Sequence, residues 1–90
     1  SLRQREKLQV CLLEQHAWRW SQSTGTDYQR LWAYLQEGLA LGFSDRPVLD
    51  GWLWLRLQHP TAPLVLPLEG LTQQERLDSL SQRWQDDQAQ

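Results

Sequence analysis

Few side chains in this 90-residue chain are chemically reactive. Cys11 and His16 lie on one stretch, five positions apart. On a helix that spacing separates them by roughly 140°, at ~100° per residue. The arrangement is poor for a thiolate–imidazole pair, and Cys11 reads instead as a small core residue. His59 precedes Pro60 at a helix end, where an imidazole can hydrogen-bond free carbonyls. Asp86-Asp87 reads as a solubilising pair near the end of the chain. Two histidines and one cysteine match no zinc-ligand spacing. Gly38 and Gly42 have no strand before them, as a phosphate-binding loop requires. The expectation is a non-enzyme, with no metal and no cofactor.

Charge and composition narrow the partners. Lys+Arg number 9 against Asp+Glu 11, for a net charge of −2. Nucleic-acid binders carry a basic excess that releases counterions from phosphates. None is present, and the arginines are interleaved with acids. A polybasic membrane anchor is excluded on the same ground. No apolar run approaches the ~20 residues of a membrane helix, and no signal peptide is visible. The single cysteine, Cys11, permits no intrachain disulfide and fits a reducing, cytoplasmic compartment. The chain starts at Ser1 and contains no Met, which reads as a domain cut from a longer chain or a processed protein. Hydrophobic residues at 40% mark a globular domain, placed here at residues 1–85, with 86–90 as a frayed polar tail.

The periodicity of the apolar residues is helical. From Arg3 to Ser21, Val10, Leu13, Ala17 and Trp20 form one stripe, with Leu8, Cys11, Leu12 and Trp18 beside it. Residues 21–25 break the pattern as a loop. Thr26 with Gln29 predicts a capping box for a second helix, with Asp27 suiting its positive end. Tyr28, Leu31, Trp32, Leu35 and Leu39 line one side, and Gly42 is its natural C′ residue. A third helix follows, with Ser44 as the expected N-cap, Pro47 in its first turn and Phe43 stapled to Val48. It ends near Gln58, before His59-Pro60. Residues 60–70 hold three prolines among Leu64, Val65, Leu66 and Leu68, predicting an extended segment across the helices. Thr72 and Glu75 form a second capping box, opening a last helix with a narrow stripe of Leu77, Leu80 and Trp84. The expected fold class is all-α, a small bundle of three to four helices with an extended Pro/Leu-rich segment before the last.

The tryptophans are in surplus. There are six, against one Phe and no Met. Trp52 and Trp54 are two positions apart on one helix, so they project ~200° apart, and Trp18 and Trp20 repeat the pattern. An all-round apolar helix is central in its bundle or covered by something else. Either the Pro/Leu segment and the last helix bury helix three completely, or some of these side chains form an interface with another protein, where Trp is enriched at hot spots, or with the rest of a longer parent chain. The candidate partner-binding set is Trp18, Trp20, Trp52, Trp54 and Arg56. A DNA-reading helix-turn-helix is disfavoured, because Val48–Leu57 offers Trp and Leu where base edges need polar groups.

Helices two and three carry a resemblance. The stretch from Tyr34 to Leu55, with Leu39-Ala40-Leu41-Gly42-Phe43-Ser44 as its turn, resembles the C-terminal helical lobe of bacterial type VI secretion effector adaptors. It covers about a quarter of the chain well and the first helix loosely. The family's N-terminal lobe has no counterpart here. The resemblance implies a cytoplasmic adaptor chaperone that holds a toxic effector and loads it onto the secretion spike, without catalytic residues. The competing readings are a self-associating scaffold and, third, a nucleic-acid-binding regulator.

Overall fold

A computed structural model describes residues 2–65 and 67–89. Leu66 of the Pro/Leu segment and Gln90 of the tail lie outside the described residues. The described residues form four helices: α1 (Leu2–Thr24), α2 (Tyr28–Ala40), α3 (Arg46–Gln58) and α4 (Gln73–Ala89). No strand occurs among the described residues. The chain divides into two compact units, Ser1–Gln36 and Glu37–Gln90.

In the first unit, α1 runs one turn beyond the expected boundary. The Thr24 hydroxyl donates back to the Trp20 carbonyl at 2.7 Å. The Gly25 N–H donates to the Ser21 carbonyl at 2.9 Å, closing the helix one turn later than Ser21. The cap of α2 is Asp27, not Thr26: its carboxylate accepts the Arg30 N–H at 3.1 Å, and its carbonyl accepts the Leu31 N–H. Thr26 is engaged elsewhere, its carbonyl accepting the Ser21 hydroxyl at 2.7 Å. The buried apolar residues of this unit are Ala17, Leu31, Tyr34 and Leu35. Cys11, expected in the core, is exposed.

The second unit holds most of the core. Here α2 ends in a Schellman motif, with Gly42 N–H donating to Leu39 O at 3.0 Å and Phe43 N–H to Gly38 O at 2.9 Å. Gly42 sits at φ +92°, the left-handed geometry glycine adopts without a Cβ clash. The N-cap of α3 is Asp45, one residue past Ser44. Ser44 is diverted by α4: Gln73 Oε1 accepts the N–H groups of Ser44 and Asp45 at 2.8 and 3.0 Å, and Gln73 Nε2 donates to Ser44 Oγ at 2.9 Å. The Phe43 ring meets Trp52, with centroids 5.8 Å apart. Helix α3 ends at Gln58, with His59 as its C-cap, as the proline dictates. The expected capping box of α4 forms in both directions, Thr72 N–H to Glu75 Oε1 at 3.0 Å and Glu75 N–H to Thr72 Oγ1 at 3.1 Å.

Helices α3 and α4 pack together. Leu77, Leu80 and Trp84 are the buried residues of α4, the narrow stripe read from spacing. The helix carries on through residues 86–89, which the sequence assigned to a frayed tail; they are exposed.

Candidate protein-interaction surface

The five candidate residues separate by burial. Trp52 is fully buried at the centre of the second unit. Its ring lies 5.8 Å from both Phe43 and Trp84. It also presses on α2, where a Cβ on Gly38 would lie 2.6 Å from Trp52 Cδ1. Only glycine at position 38 leaves room for that indole.

Arg56 is 8% exposed, and its bonds are made within the chain. Its Nη2 pairs with Glu37 Oε2 at 2.8 Å. Its Nη1 donates to the carbonyls of Ala62 at 2.6 Å and His59 at 3.2 Å. The guanidinium carbon stands 5.9 Å from the Trp52 ring and 5.5 Å from the Trp84 ring, a double cation–π contact. Arg56 thus straps the turn after α3 to the end of α2. Neither Trp52 nor Arg56 is presented to solvent.

The other three differ. Trp54 is 55% exposed, although Leu53 and Leu55 beside it are buried. Trp18 is 56% exposed and meets Tyr28 edge-on, with centroids 6.1 Å apart. Trp20 is half-buried, its ring 6.2 Å from that of His16.

Two further features accompany these residues. Every side chain from Arg3 to Leu12 is exposed, including Leu8, Val10 and Leu12. Periodicity predicted a packed stripe there, but three turns of α1 have no apolar cover. A surface groove of about 360 Å³ is lined by Cys11, Glu14, Gln15, Trp18, Arg19 and Tyr28. Tyr28 and Leu12 were absent from the predicted surface. The signal for Leu12 lay in its flanks, since the charged run Arg3–Lys7 offers α1 little apolar surface with which to anchor this end.

A second cavity of about 350 Å³ borders the turn after α3, between His59, Pro63, Trp84 and Asp87. The His59 and Trp84 rings are 5.6 Å apart. Among the described residues, no three His, Cys, Asp or Glu side chains gather to hold a metal ion. No described helix is long and apolar enough to cross a membrane.

Fold and surface together define an all-α protein of four helices that exposes large apolar side chains on α1 and α3. No protein-family model, curated protein or solved structure matches this chain.

Proposed function

We propose that this chain is a protein-binding module and that Trp54 anchors the partner. The observation that carries this reading is the exposure of Trp54, 55% open on a helix whose flanking leucines are buried. An indole held in water on a rigid helix is the kind of side chain that dominates interface energetics. Covering its exposed half contributes about 2 kcal/mol.

The nature of the partner follows from the resemblance of Tyr34–Leu55 to type VI secretion adaptor lobes. On that reading the chain acts in the cytoplasm as an adaptor chaperone, recruiting a secreted effector to the spike. The negative net charge supports a protein rather than a nucleic acid as its target.

Binding of a candidate effector, followed by calorimetry, tests this. The Trp54→Ala variant should fold like the parent and lose at least about tenfold in affinity. Unchanged affinity removes Trp54 from the interface. Loss of folding makes Trp54 a structural residue.

A further inference from the structure

The solvent side of α1 carries a second pattern, on a different element from Trp54. Leu8, Cys11, Gln15 and Trp18 recur at spacings of three, four and three. These are the a and d positions of a heptad repeat, the seam of a two-stranded coiled coil. All four are exposed. In the same frame Lys7 and Glu14 take g positions, and Arg5, Leu12 and Arg19 take e positions; all of these are exposed too.

The geometry points to a second copy of this chain as the occupant of this seam, its α1 lying parallel to the first and in register. The charges choose both the partner and the direction. In a parallel pair each g residue faces the following e residue of the other helix. Glu14 then meets Arg19 of the second copy, and two-fold symmetry makes this contact twice. The aliphatic stem of Lys7 lies over Leu12 of the second copy. An antiparallel pair instead faces g with g and e with e. With all four seam residues overlapped, that arrangement sets Glu14 against Glu14 and Arg5 against Arg19, like charges in both pairs. Gln15 becomes a polar layer whose amide both donates to and accepts from its mate, a feature that fixes register at some cost in stability.

The groove lined by Trp18 and Tyr28 lies at the C-terminal end of the seam and leaves room beside the indole for its counterpart. The seam is short, about two heptads, and buries less than a standard interface. The dimer is therefore weak, with a dissociation constant on the order of 10–100 µM.

Sedimentation equilibrium from roughly 5 to 500 µM protein tests the pairing. The expected result is a reversible monomer–dimer equilibrium. Leu8→Glu should abolish it while leaving the helical circular-dichroism signal unchanged, since Leu8 is 62% exposed. Glu14→Arg should weaken the dimer about tenfold, by replacing two attractions with two repulsions. Adding Arg19→Glu to the same chain should restore it, because the swapped charges meet again in a parallel pair. A strict monomer across the range overturns the proposal. So does a dimer that ignores Leu8→Glu, or a double variant no tighter than Glu14→Arg alone. Because Trp54 is untouched in these variants, effector binding and self-pairing can fail independently.

Discussion

Two tryptophans two positions apart have opposite fates. Trp52 is enclosed by Phe43, Trp84 and Gly38, whereas Trp54 is half in water. Urea unfolding should separate them: Trp52→Ala loses about 3–5 kcal/mol, and Trp54→Ala less than about 1 kcal/mol. Equal losses would show that Trp54 also has a packing role. Gly38→Ala runs against helix propensity. Alanine favours a helix by about 1 kcal/mol over glycine, yet the added methyl meets Trp52 Cδ1 at 2.6 Å. Overpacking of this kind costs about 1–3 kcal/mol, so the expected net effect is destabilising. A rise in the urea midpoint would mean that the indole can move aside. None of this was legible from Gly38 itself, because the close approach joins residues 38 and 52 through a turn.

At the scale of elements, the helix ends were legible wherever a single local motif governs them. The Thr72–Glu75 box, the Gly42 turn and the His59-Pro60 stop all formed as spacing predicts. Spacing alone does not choose the cap where two cap-forming residues stand side by side. Thr26 and Asp27 both cap well, and contacts of Thr26 with Ser21 and Thr24 leave the role to Asp27. Ser44 and Asp45 present the same choice, and Gln73, 29 residues from Ser44, decides it. Thermal melts should reflect these assignments. Asp27→Ala and Thr72→Ala each cost about 1 kcal/mol for a lost cap. Thr26→Ala costs less than either; the reverse order for positions 26 and 27 would return the cap to Thr26.

Across the whole molecule, apolar cover is uneven. The second unit encloses its aromatic cluster, while α1 leaves Arg3 to Leu12 exposed. A helical stretch this short has little stability of its own in water. Amide hydrogen exchange in dilute protein should therefore be fastest in α1 over residues 3–12 and slow in α3. Protection over residues 3–12 should rise with concentration if α1 pairs with a second copy. Uniform protection along α1 at low concentration would show that these turns are held within the monomer.

The sequence by itself determined that the chain is helical, left the number of helices at three to four, and located those ends governed by a single capping box, glycine stop or proline stop, because such motifs act over a few residues. It also determined that Trp52 and Trp54 cannot both face the same core, since helix geometry sets them ~200° apart. Which of the two is the core residue was decided only by tertiary structure. That depends on Phe43, Trp84 and the gap at Gly38, which come together only when α3 packs between its neighbours in the second unit. Arg56 follows the same logic. The sequence placed it in the candidate partner-binding set, and its burial rests on Glu37 and two carbonyls of the turn after α3, contacts that exist only once the chain is folded.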